Sequence, residues 1–114
     1  MYVTGSGIQT ESTALEKAHQ VSTKVSQLFN LFGLNDSDTD YYVQIHDSAS
    51  TPADTAVPKV VMKAFAGANF FLSRDAVPYA FQKGIYVCAS STAATKTLIA
   101  TNSFWFNTQH HVLA

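Results

Sequence analysis

Apolar residues in this chain come in short alternating runs, and a turn signal ends each run after about 8–14 residues. The clearest run is Tyr41-Tyr42-Val43-Gln44-Ile45-His46-Asp47. In an extended chain Tyr41, Val43 and Ile45 share one face, and Tyr42, Gln44 and His46 share the other. That is the pattern of a half-buried β-strand. The turn residues Asn35-Asp36-Ser37-Asp38-Thr39-Asp40 precede it, and a loop over residues 48–58 follows it. Pro52 and Pro58 deny that loop both helix and central-strand pairing.

The same reading continues along the chain. Residues 21–34 fit either a helix face or alternating strand positions, and strand is preferred over 24–34 because it pairs naturally with the turn and strand that follow. Residues 59–66 and 69–74 read as strands around a Gly67-Ala68-Asn69 turn. Val77-Pro78-Tyr79 reads as a break. Residues 85–90 form a strong apolar strand, 91–96 a turn, and 97–99 a short β-prone piece. Ser103-Phe104-Trp105-Phe106-Asn107 closes the series. The sum predicts an all-β antiparallel β-sandwich or jelly roll of six to eight short strands. At 114 residues the chain has room for one such domain, over 21–114. Residues 1–20 are polar. They read as an N-terminal arm, or as an edge strand that orders on assembly, with Leu15 a candidate contact.

Composition narrows the function. Charged residues make up 13% of the chain, about half the ~25% usual for globular domains. The apolar fraction is 46%, and 23 serines and threonines replace the missing charge. Seven basic residues and a net charge of −1 do not build a phosphate-neutralising stripe, so nucleic acid is set aside as a partner, as is polybasic membrane attachment. The single Cys88 excludes an intrachain disulfide scaffold. No apolar run is long enough for a transmembrane helix, and the opening residues lack the regions of a signal peptide. Synthesis in a reducing cytosol is the expectation.

Candidate chemistry is sparse. Asp36, Asp38 and Asp40 have the spacing that opens a calcium loop, but Tyr41 stands where the bend needs glycine. The plainer reading is a solvated turn whose side chains cap backbone amides. The histidines are His19, His46, His110 and His111. Their spacing matches no zinc motif, and adjacent His110 and His111 face opposite sides of a strand. His46 is expected to hydrogen-bond across a strand pair. Cys88 reads as a small buried hydrophobe. No nucleophile elbow or phosphate loop is present. The expectation is a non-enzymatic protein with no catalytic, cofactor or metal residues. The densest apolar cluster is Phe104, Trp105 and Phe106. One face of that strand fills the core; the other is left for a subunit contact or a sugar platform. Tyr42 and Tyr79 are further interface candidates.

The segments YYVQIHDSASTPADTAVP and KGIYVCASSTAATKT, with the closing aromatic strand, span Tyr41 to Phe106. This stretch resembles a recurrent small β-sandwich found among tailed-bacteriophage virion proteins. The resemblance implies a head decoration (cement) protein on the capsid surface, acting as a homotrimer, with the major capsid protein or another virion protein as partner. It implies no catalytic residue. A head-fibre base or a tail or adaptor component is the alternative within the virion. A carbohydrate-binding β-sandwich is the alternative outside it.

Overall fold

The computed structural model describes residues 8–74 and 76–113. The part of the N-terminal arm expectation that falls on residues 1–7 lies outside them. Among the described residues there are nine strands and no helix. They are β1 (Ile8–Glu11), β2 (Ala18–Ser22), β3 (Ser26–Asn35), β4 (Tyr41–Asp47), β5 (Val60–Ala64), β6 (Asn69–Ser73), β7 (Tyr79–Phe81), β8 (Ile85–Ser90) and β9 (Phe104–Val112). All pairings are antiparallel.

One sheet has the order β1-β9-β3-β6, with β7 continuing the β6 side of β3; the other has the order β2-β8-β4-β5. Most successive strands cross from sheet to sheet, the exceptions being β4–β5 and β6–β7, and each pair in one sheet has its counterpart in the other: β1·β9 with β2·β8, and β3·β6 with β4·β5. That wrapping is the double Greek key of a jelly roll, with β7 as an added strand. The predicted β-sandwich is therefore the observed class, with one strand more than the expected range.

Alternation explains why β9 seats so firmly. Phe104, Phe106, Thr108 and His110 point inward and are buried; Trp105, Asn107, Gln109 and His111 point outward. Phe104 and Phe106 stack at 5.8 Å, and Phe70 lies 6.0 Å from each ring. Leu28 and Leu31 from the same sheet meet Val43, Ile45, Ile85 and Val87 from the other. Burying each such side chain contributes about 1.5–3 kcal/mol.

In β3 the inward set changes parity, from Ser26 and Leu28 to Leu31, Gly33 and Asn35. A bulge at Phe29 causes it, because the pairing to β9 shifts between Leu28 and Asn30. Gly33 then sits where β3, β6 and β9 crowd. A Cβ there would collide with the Trp105 carbonyl oxygen and come within 2.7 Å of the Phe70 ring. Gly67, with φ of +66°, makes the β5–β6 turn that the sequence places there.

Several expectations change. The described residues of the 1–20 segment do not project as an arm but take the edge-strand alternative: β1 and β2 supply one edge strand to each sheet of this same chain. Glu16 anchors the link between them through paired bonds of 2.8 Å with Phe104. Val77-Pro78-Tyr79 is not wholly a break, since Tyr79 starts β7. Of residues 97–99, only Leu98 pairs, in an isolated bridge to Ser90. The closing strand runs on to Val112, because Thr108 and His110 fill inward positions expected to be apolar.

β4 is not half-buried. Gln44 and His46 are as buried as Val43 and Ile45. Loops 48–58 and 91–99 fold over the outer face of the second sheet. Gln44 donates from Nε2 to the carbonyls of Thr92, Ala93 and Thr95, and Lys96 ties the two loops together.

Candidate functional site

The outer face of the five-stranded sheet carries the apolar, mostly aromatic residues that the pleat turns away from the core, some exposed and some half-buried. On β9 this is Trp105, on β3 Phe32 and Leu34, and on β6 Phe71. Leu15, from the β1–β2 link, closes one end. Together with Asn69 and Asn107 they line a groove of about 560 Å³. Phe71 is 68% exposed, Phe32 47% and Leu15 41%. Phe32 and Phe71 face each other at 6.3 Å across the paired strands. Beside the groove runs a row of amides. Trp105 donates from Nε1 to Asn107 Oδ1 at 3.3 Å, and Asn30 donates from Nδ2 to Gln109 Oε1 at 2.9 Å. The outward positions of β3, β6 and β9 hold no Asp, Glu, Lys or Arg.

Of the sequence-predicted interface residues, this face brings together Leu15 and Trp105. Phe104 and Phe106 are fully buried inside the chain, so neither presents a surface. The reason is the pleat: their neighbour Trp105 takes the other side. Tyr42 lies on the second sheet, with Lys63 Nζ 6.0 Å above its ring. Tyr79 lies on β7 under Arg74, 4.3 Å from its ring centre. Neither reaches the groove. Phe32 and Phe71 were not singled out from the sequence, although each sits in an alternating run whose outward face is apolar.

A second cluster lies at the seam where β1 and β2 face each other. Ser12 donates to Glu16 Oε2 at 2.6 Å. The same oxygen lies 3.0 Å from His19 Nδ1. His19 Nε2 lies 3.2 Å from Thr10 Oγ1, which in turn meets Thr108 Oγ1 on β9. In the Nδ1–H tautomer the ring donates to Glu16 Oε2 and accepts from the Thr10 hydroxyl at Nε2. The result is a hydroxyl–imidazole–carboxylate chain. Nothing in the sequence pattern marks it, though Thr10, Glu16 and His19 lie within ten residues of one another.

The remaining groups are spoken for locally. Asp40 accepts the Ala66 N–H at 2.8 Å, and Asp38 accepts the Thr39 hydroxyl at 3.1 Å, so the acidic turn caps its surroundings. His46 Nε2 lies 3.0 Å from Gln44 Oε1 on the same strand, rather than bonding across a strand pair. Burial, with help from nearby Lys96, lowers the His46 pKa. Burial pushes the Cys88 thiol up to about 11, which suits a packing role. Among the described residues no group of three His, Cys, Asp or Glu side chains is placed to hold a metal ion.

No protein-family model, curated protein or solved structure matches this chain.

Proposed function

We infer that the chain is a bacteriophage virion structural protein, a capsid decoration or cement protein that binds the outside of the head as a homotrimer. The observation that carries this reading is the uncharged aromatic groove formed by Trp105, Phe32, Phe71, Leu34 and Leu15. A contiguous exposed apolar face on a small domain is characteristic of a protein contact. Apolar centre and amide border match the anatomy of such contacts. The low charge of the whole chain points the same way, as does the resemblance carried by Tyr41 to Phe106.

Mixing purified protein with decoration-free phage heads and sedimenting them tests the reading. Saturable binding by the native chain, reduced at least tenfold in the Trp105→Ser/Phe71→Ser double variant, is the expected result. Absence of head binding, with a strict monomer by light scattering, overturns it. Binding to tails alone moves the protein to the adaptor alternative.

The amide row beside Trp105 favours one second reading, a neutral-saccharide platform, because aromatic faces and amide hydrogen bonds together suit sugar rings. Glycan binding by the native chain, lost in Trp105→Ala without unfolding, together with absence of head binding, would select it.

A further inference from the structure

We propose that the seam between β1 and β2 is an acyl-transfer site, in which Thr10 is the nucleophile, His19 its general base and Glu16 the residue that positions the base. The proposal goes beyond the assembly role and rests on other residues.

The geometry matches what an activated hydroxyl requires. Nucleophile and base lie 3.2 Å apart, and base and carboxylate 3.0 Å apart. These are hydrogen-bond distances in the order hydroxyl, imidazole, carboxylate. Each member is held in place. Thr10 pairs with Thr108 in the β1–β9 ladder. Glu16 is pinned by its two backbone bonds to Phe104 and by the Ser12 hydroxyl. Ser12 itself is fixed by the Phe106 N–H at 2.9 Å. The His19 ring lies over Phe106 at 6.4 Å. Such support separates a preorganised relay from a chance surface contact.

The hydroxyl also has a place for a substrate. Thr10 lines an open cleft of about 480 Å³ with apolar walls from Ile8, Val21 and Val112 and with Lys24 among its lining residues. His110 lines the same cleft, and its buried Nδ1 has no hydrogen-bond partner among the described residues. Burial, and after it His111, keeps that ring toward the neutral form. The cleft's small apolar walls suit short-chain acyl esters.

The reaction balances without a cofactor. Thr10 Oγ1 bonds to the ester carbonyl carbon as its proton passes to His19 Nε2. The tetrahedral intermediate collapses, the bond to the alkoxide breaks, and His19 returns the proton to that leaving group. Acyl-Thr10 and an alcohol result. Water, deprotonated by His19, then releases the acid and restores the Thr10 hydroxyl.

The test uses the full chain and p-nitrophenyl acetate as probe, reading p-nitrophenolate release and the site of acetylation by peptide mass mapping. The expected result is acetyl on Thr10, retained in Thr10→Ser and lost in Thr10→Val. His19→Ala should slow it about 10²-fold, the usual worth of a general base. Glu16→Gln should slow it and also displace the acid limb of the pH–rate profile, which loss of a merely structural contact would not do. Labelling confined to lysines or to Ser12, or equal rates in the native, Thr10→Val and His19→Ala proteins, overturns the proposal.

Discussion

The ammonium of Lys96 lies 2.5 Å from the carbonyl oxygen of Pro52, although 44 residues separate them. The side chain is only 3% exposed, and Asp54 Oδ1 stands 3.7 Å from the same nitrogen. The backbone of Lys96 bonds on both sides as well, to Ala56 and to Thr55. One residue thus fastens the loop after β4 to the loop after β8. Replacing it with Met keeps the bulk and removes the donor. Lys96→Met is expected to destabilise the fold by about 1–3 kcal/mol, the usual cost of stranding a buried acceptor. A urea midpoint equal to that of the native chain would refute this.

The same loop contains Thr55 at φ of +77°, a left-handed conformation that a β-branched residue adopts only under constraint. The bond from its N–H to the Lys96 carbonyl, 2.8 Å long, holds it there. Thr55→Gly relieves strain worth about 1–3 kcal/mol while adding chain entropy to the unfolded state. A net gain of about 1 kcal/mol is expected, read as a rise in melting temperature. A fall in melting temperature would show that the conformation costs little.

Gly33 makes the opposite case. Its missing Cβ is the space that β9 and the Phe70 ring occupy. Gly33→Ala forces backbone rather than a flexible side chain to move. A loss of about 3 kcal/mol or more is expected by chemical denaturation. Full retention of stability would mean that β3 and β9 separate more easily than their register suggests.

Acid should weaken this protein. His46 and His110 are both buried, and burial lowers the pKa of each from its ordinary 6.5. Below pH 6.5 the unfolded chain therefore binds more protons than the folded one, and stability falls as pH falls. The contribution is complete above about pH 6.5 and declines as pH drops toward the lowered folded values. For two groups the slope approaches about 3 kcal/mol per pH unit. Urea midpoints at pH 7.5 and 5.5 measure it, and equal midpoints would contradict it. Asp47 adds a separate acid-sensitive element. Burial alone would raise its pKa, but the N–H groups of Lys83, Gln82 and Gly84 outweigh that and lower it. Its share is lost only as pH falls below the usual carboxylate range of about 4.

The strands most legible in the sequence are those whose alternation reports burial directly. Tyr41–Asp47 and Ile85–Ser90 appear where the pattern places them, with the same boundaries. β1 and β2 were harder to read because edge strands need little apolar content; their inward residues, Thr10 and His19, satisfy each other by hydrogen bonds. The aromatic groove was half legible. Trp105 stands out beside two core phenylalanines, whereas Phe32 faces outward only because the bulge at Phe29 reverses the parity of β3.

By itself, then, the sequence determined the fold class and the side of β9 that each aromatic residue takes, because a period of two is a local property of extended chain. Which strands become neighbours is not local. Only the tertiary structure decided that Thr10, Glu16 and His19 close into one chain of hydrogen bonds at a seam between two sheets. It alone set Leu15 beside Trp105, and Lys96 beneath a loop 44 residues away. Those pairings depend on register and on crossings between sheets, and the jelly-roll wrap supplies both.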